Sequence, residues 1–161
     1  MIRRTLRAAA IASFALAAAA PASAEYTAEQ LKAMLLQHGN KFEIDKDGDY
    51  KIVIQWEKEK RSQLVFLAKR TEAVRGIVIH EVFAPVADIR KKPLSGAQAL
   101  DLLRDAATNK IGGWQIDGSM LYFTIMLIEP FTAEELNMAI DTAAELADNY
   151  EIKLTGKKDE Y

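Results

Sequence analysis

The stretch Ile111–Pro130, IGGWQIDGSMLYFTIMLIEP, decides the fold. It predicts a β-hairpin in which a short strand through Trp114 and Ile116 turns at Asp117-Gly118 into a long strand from Met120 to Ile128. An Asp-Gly pair between two apolar runs favours a tight turn, because glycine adopts the required positive φ without strain. We therefore take this hairpin as the element around which the rest of the chain is organised.

The long strand of this hairpin is apolar on both of its faces, with Thr124 as its one polar residue. A strand with one wet face alternates between apolar and polar residues, whereas a near-continuous apolar run indicates cover on both faces. Helices of this chain can cover one face, and the other face is covered either by a second helix layer or by a partner. The candidate partner-binding residues lie on the face that contains two methionines: Met120, Tyr122, Thr124, Met126 and Ile128. Methionine suits such a surface because its flexible side chain adapts to varied partners.

The remainder of the chain predicts an α+β fold with a mostly antiparallel sheet, in the order α-β-β-β-β-α-β-β-α. Capping-box pairs mark the starts of the three helices: Thr27 with Gln30, Ser95 with Gln98, and Thr132 with Glu135. The first helix is expected from Ala28 to His38, the second from Ser95 to Asn109, and the third to about Tyr150 or on to Leu154, since Gly156 is the next stop signal. Apolar alternation predicts strands over residues 41–45, 50–56, 63–69 and 76–83. Residues 85–93 are expected to be a linker and 156–161 a disordered tail.

Residues 1–24 have the pattern of a cleaved signal peptide. Three arginines precede the Ala-rich run from Ala8 to Ala20, and Pro21-Ala22-Ser23-Ala24 supplies a small-x-small cleavage site. The run is too short to span a bilayer comfortably. We therefore expect a single domain from Glu25 to Tyr161 that is located in the periplasm or secreted, by the Sec route or, given Arg3-Arg4, by the twin-arginine route.

Composition excludes several classes of function. Without residues 1–24 the chain has 18 basic and 23 acidic residues, a formal charge of about −5. A mildly acidic domain is a poor ligand for nucleic acid or anionic lipid. The chain has no cysteine, which removes disulfides, thiolate nucleophiles and Cys-ligated metals. We expect neither a cofactor nor a metal.

The acidic segment Asp45–Asp49 and the histidine His80 are the candidates for chemistry. The aspartates at positions 45, 47 and 49 resemble a calcium loop, but no register supplies the closing glutamate, so a hairpin turn is favoured. His80 alternates with apolar residues, so we interpret it as a hydrogen-bonded or half-exposed strand histidine rather than as a ligand. The alternative function, a periplasmic small-ligand binder or hydrolase, requires the three aspartates, His80 and Trp114 to converge in one pocket.

The segments FEIDKDGDYKIVI, NKIGGWQIDGSMLYFTIML and FTAEELNMAIDTAAELAD, together with the order of elements, resemble the YbjN-like family over nearly all of Tyr26 to Tyr150. Asn109 stands where that family often ends its second helix with asparagine, although the asparagine that often precedes it is missing here. The resemblance implies the fold of type III secretion chaperones. It also implies a non-enzymatic binding or chaperone-like domain, often dimeric, of the kind described as a sensory transduction regulator.

The leader assignment predicts the N-terminus of the exported protein. Intact mass measurement of protein recovered from the periplasm or medium should give a chain that begins at Glu25, because signal peptidase cleaves after small residues. An Ala24→Tyr variant should retain its leader. A recovered chain that still contains residues 1–24 without this substitution would contradict the assignment.

Overall fold

The computed structural model describes residues 25–156 and 159–161, and it has the expected α+β architecture. The described elements are three helices and a seven-stranded antiparallel sheet. In chain order they are α1 (Ala28–Gln37), β1 (Phe42–Ile44), β2 (Tyr50–Trp56), β3 (Arg61–Leu67), β4 (Glu72–Val74), β5 (Ile77–Asp88), α2 (Gly96–Ala106), β6 (Gly112–Asp117), β7 (Met120–Ile128) and α3 (Ala133–Thr155). Residues 1–24, on which the signal-peptide prediction falls, lie outside the described residues.

The sheet is built around its two longest strands. Its order is β1-β2-β3-β5-β7-β6, and β4 pairs with β5 outside this path. The β6–β7 hairpin forms as predicted, with the turn at Gly118 at φ 56°. β7 is hydrogen-bonded to β5 along its other side, from Ile79↔Ile128 to Asp88↔Met120. In the described part of the chain, no helix is long and apolar enough to cross a bilayer.

One face of the sheet is sealed by α3. Side chains alternate along a strand, and Leu121, Phe123 and Ile125 of β7 point to this face, each at most 1% exposed. α3 presents a buried stripe with several small residues against them: Ala139, Ile140, Ala143, Ala144 and Ala147. Small side chains let the helix axis approach the sheet closely, so α3 contacts β3, β5 and β7 together.

The other two helices lie on the same side of the sheet. α1 packs against α3 and buries Leu31 and Leu35. α2 packs against β6, where the indole Nε1 of Trp114 donates a hydrogen bond of 2.8 Å to Asp105. All three helices start at the predicted capping boxes, each with both reciprocal hydrogen bonds. Local side-chain chemistry therefore sets where the helices begin, and packing on one sheet face sets where they lie.

Helix α2 is less buried than its sequence predicts. The helical period of its apolar residues predicts a buried stripe of Ala99, Leu102, Leu103 and Ala106, but Leu102 alone is buried and Leu103 is 71% exposed. The reason is that α2 lies at the edge of the sheet, where one strand offers too narrow a surface to cover a full stripe. The helix also ends at Ala106, earlier than the predicted Asn109.

The predicted linker over residues 85–93 is wrong in its first part, because β5 continues through Pro85 to Asp88. The register shifts between Pro85 and Ala87, and a bulge is a position at which a strand accepts proline without an N–H. Strand β4 was not predicted, and its turn into β5 uses Arg75 and Gly76 at positive φ. Because the first of these positions is Arg75, the pair lacks the Asn-Gly or Asp-Gly pattern from which such a turn is usually predicted.

Adjacent residues of β7 test the two-sided character of this strand. Ile125 is 1% exposed on the helix-covered face, and Met126 is 53% exposed on the other. We expect Ile125→Ala to cost about 2–5 kcal/mol of unfolding free energy, because it leaves a cavity. Met126→Ala should change stability by roughly 0.5 kcal/mol or less. Urea unfolding of both variants checks this, and similar losses would contradict the assigned faces.

Candidate functional site

The face of the sheet opposite the helices, called here the open face, carries all five candidate partner-binding residues. Met126 and Ile128 are 53% and 57% exposed, and they form the apolar end of β7. Met120 and Tyr122 are half-buried, whereas Thr124 is buried between neighbouring strands. A second helix layer over this face was the alternative expectation, and within residues 25–156 and 159–161 no helix covers it.

A row of aromatic rings crosses the open face. Phe66 of β3 stacks on Phe83 of β5 with ring centroids 5.1 Å apart and an interplanar angle of 10°. Phe83 meets Tyr122 of β7 edge to face at 5.5 Å. The partner-binding set predicted from sequence missed Phe66 and Phe83, because they join Tyr122 through the sheet order rather than through nearness in sequence. Aromatic rings offer large contact areas at low entropic cost, which suits a binding surface.

The aromatic row forms the floor of a concavity of about 670 Å³. Its walls come from the turn that precedes β2, from the β6–β7 turn and from residue Tyr161. Carboxylates surround the aromatic floor on several sides: Asp45, Asp47, Asp49, Glu81 and Asp117. The concavity is therefore apolar at its base and negatively charged at its rim.

The negative charge at this rim is poorly compensated. Burial, together with the nearby carboxylates of Glu72, Asp117 and Asp49, raises the pKa of Glu81 above its ordinary value. Burial and the charge of Asp117 also raise the pKa of the Tyr122 hydroxyl. In the part of the chain that the structure describes, neither Glu81 nor Asp117 forms a salt bridge. The rim thus favours neutral or cationic groups over anionic ones.

Asp45 has a structural role within the acidic turn. Its Oδ1 accepts hydrogen bonds from the backbone N–H groups of Asp47 and Asp49, at 2.9 and 3.0 Å. Gly48 completes the turn at φ 91°. This is the hairpin turn that the sequence favoured, because an aspartate that caps its own backbone stabilises a turn without a metal.

The residues required by the alternative small-molecule function do not converge. His80 is fully buried on the helix-covered face, where its Nε2 lies 2.7 Å from Glu129 Oε1. The same carboxylate oxygen accepts the backbone N–H of Tyr26 at 2.7 Å. Trp114 also lies on the helix-covered face, paired with Phe123. The aspartates of the turn line the open face, so the sheet separates them from His80 and Trp114.

A three-residue segment, residues 159–161, lies against the edge of β3 at the open face. The backbone N–H of Leu64 donates to the carbonyl oxygen of Tyr161 at 2.9 Å. The backbone N–H and hydroxyl of Ser62 both donate to Asp159 at 3.2 Å. The sequence predicted a disordered tail over 156–161, and the structure instead gives these three residues defined hydrogen bonds.

An ion cluster holds this segment at one end. The guanidinium of Arg61 lies 2.6 Å from Asp148 Oδ1, 2.7 Å from Glu151 Oε2 and 3.5 Å from Asp159 Oδ1. Burial raises the pKa of Glu151, and Arg61 opposes that effect. The three carboxylates also have the spacing of a metal site, with ligand atoms within 4.8 Å of one another. Because Arg61 already supplies the positive charge among them, we interpret the cluster as structural.

The uncompensated rim predicts a pH-dependent stability difference. Since the folded state raises the pKa of Glu81, it binds that proton more tightly than the unfolded state, and stability falls as pH rises through the interval between the two pKa values. Glu81→Gln removes this cost, so we expect its thermal midpoint to exceed that of the unsubstituted protein at neutral pH. The advantage should shrink below about pH 4, where Glu81 is mostly protonated in both the folded and the unfolded state.

Thermal unfolding of Glu81→Gln and of the unsubstituted protein over a range of pH checks this, with Glu145→Gln at an exposed position as the control. An advantage that does not depend on pH would contradict it.

No protein-family model matches this sequence, and no curated protein matches it. The resemblance to the YbjN-like family therefore rests on the segments quoted above and stays a prediction.

Proposed function

We propose that this protein is an exported, non-enzymatic binding module that holds an extended segment of a protein partner, or a second copy of itself, on the open face. The observation that carries the proposal is the apolar surface around Met126 and Ile128, which no helix of the described chain covers. A contiguous exposed apolar patch marks an interaction site more often than scattered apolar residues do.

The apolar surface extends beyond β7. The pairing register places Val74 and Ile77 of the β4–β5 turn and Ile79 of β5 on the same face, beside Ile128. Val74 and Ile77 are 52% and 48% exposed. Complete burial of a side chain of this size contributes about 1.5–3 kcal/mol. Several such side chains supply the affinity, and the aromatic row adds a shaped surface for an anchor residue.

The proposal agrees with the expectations from sequence. The leader predicted over residues 1–24 implies a partner in the envelope or outside the cell, and the acidic composition favours a protein over nucleic acid. The resemblance to the YbjN-like family implies a chaperone-like activity and a dimer. The alternative, a small-ligand binder or hydrolase, loses support because its required residues lie on opposite faces of the sheet.

Two methionines of nearly equal exposure provide a matched test. Met126 on the open face is 53% exposed, and Met138 on α3 is 49% exposed. We expect Met126→Glu to abolish self-association in sedimentation velocity, or capture of partners from envelope extract by the immobilised Glu25–Tyr161 chain. Met138→Glu should leave both unchanged, because a charge on the outer face of α3 meets solvent alone.

Two results would contradict the proposal. One is a chain that stays monomeric and captures no protein in its unsubstituted form. The other is equal loss of association in both variants at unchanged thermal stability, which would place the interface elsewhere.

A further inference from the structure

The sheet contains a gap between β3 and β5 on the side of the concavity. These strands pair only at Phe66↔Phe83 and Leu67↔Val82, although β3 extends back to Arg61. The backbone N–H groups of Ser62 and Leu64 point into the gap rather than toward β2. Unpaired main-chain donors at a strand edge are the feature that extended peptides recognise by strand addition.

Residues 159–161 supply acceptors for both of these donors. The carbonyl of Tyr161 accepts from Leu64, and the carboxylate of Asp159 accepts from Ser62 and lies beside Arg61. The residue between them, Glu160, donates its backbone N–H to Glu151 Oε1 at 2.8 Å. Each of the three residues thus has a separate partner on the domain.

The side chain of Tyr161 enters the concavity. It lines the wall together with Leu64, Pro85 and Tyr122. Its hydroxyl lies 4.0 Å from the sulfur of Met120, at the start of β7. Burial raises the pKa of this hydroxyl, which agrees with a ring held against the protein. The segment therefore makes an aromatic contact within the surface that the proposed function assigns to a partner.

We propose that the gap between β3 and β5 is a peptide-binding site that residues 159–161 occupy in cis. Its partner is an extended segment with a carboxylate two residues before an aromatic side chain, which binds in their place. The carboxylate meets Arg61 and Ser62, the main chain meets Leu64, and the ring enters the concavity. The inference rests on the proposed function and specifies the partner.

The charges around the gap and the concavity restrict which residues a partner carries at its other positions. At one end of the gap, the backbone N–H and hydroxyl of Ser62 donate to a carboxylate that lies 3.5 Å from Arg61, whereas Asp117 and Glu81 border the concavity without salt-bridge partners in the described chain. A partner therefore carries its acidic residue at the Arg61 end and neutral or basic residues where it faces the rim. A purely acidic segment would be repelled.

Residues 159–161 compete for the gap, so a partner must bind there more tightly than they do. A short tether holds a segment near its site at an effective concentration in the millimolar range. Residues 159–161 make few contacts, so a partner that also covers Met126 and Ile128 binds more tightly and displaces them. Residues 159–161 therefore exclude ligands that bind weakly and are displaced by a partner that binds more tightly.

Amide exchange and peptide titration test the inference. The intact chain from Glu25 is compared with a variant that lacks residues 159–161 and with Tyr161→Gly, and thermal unfolding confirms that each folds. We expect the Leu64 amide to exchange at least tenfold faster in the shortened variant. A synthetic heptapeptide with the sequence of residues 155–161, TGKKDEY, should shift the Ser62 and Leu64 resonances of that variant at millimolar concentration and much less those of the intact chain.

The control is the same heptapeptide with its aspartate replaced by asparagine and its tyrosine by glycine. Unchanged exchange at Leu64 in the shortened variant, or equal shifts from both peptides, would overturn the inference. These outcomes are distinguishable from failure of the proposed function. If Met126→Glu still abolishes partner capture while the heptapeptide fails to bind, the open face remains the interface and the gap is not its peptide site.

Discussion

The structure depends on the alternation of side chains along β7, because both sets of alternate residues are largely apolar and only one set is sealed by the chain's own helices. Leu121, Phe123 and Ile125 meet the alanine-rich stripe of α3 and are excluded from solvent. Met126, the residue after Ile125, and Ile128 face the open side and stay more than half exposed. A strand that is apolar on both faces and covered by helices on one is the basis of our proposal that a partner covers the other.

The polar and charged groups around the open face orient a ligand that binds to its apolar surface. Carboxylates border the concavity at Glu81 and Asp117, while the backbone N–H and hydroxyl of Ser62 offer hydrogen-bond donors on β3. An extended ligand is therefore oriented by charge as well as by main-chain hydrogen bonds, which favours specificity over affinity alone. Residues 159–161 lie against this surface, since Asp159 and Tyr161 accept hydrogen bonds from Ser62 and Leu64 of β3.

Local signals in the sequence predicted much of this arrangement. The capping boxes located the helix starts, Asp117-Gly118 located the central turn, and strict alternation placed Met126 and Ile128 on one face. What sequence reasoning missed depends on contacts between distant segments. β5 continues through Pro85 because a bulge against β7 accommodates it, and Phe66 reaches Phe83 only through the order of the strands. His80 is buried because Glu129, far along the chain, supplies its partner.

The central claim, that the open face is exposed in the isolated protein and covered by a partner, is tested most directly by methionine oxidation. Limited peroxide treatment of the purified chain, diluted until it is monomeric and read by peptide mass spectrometry, should oxidise Met126 as readily as Met138, and the half-buried Met34 more slowly. In envelope extract, Met126 should be protected and Met138 should not. A Met126 that resists oxidation in the purified monomer, or that reacts equally in both settings, would contradict the account.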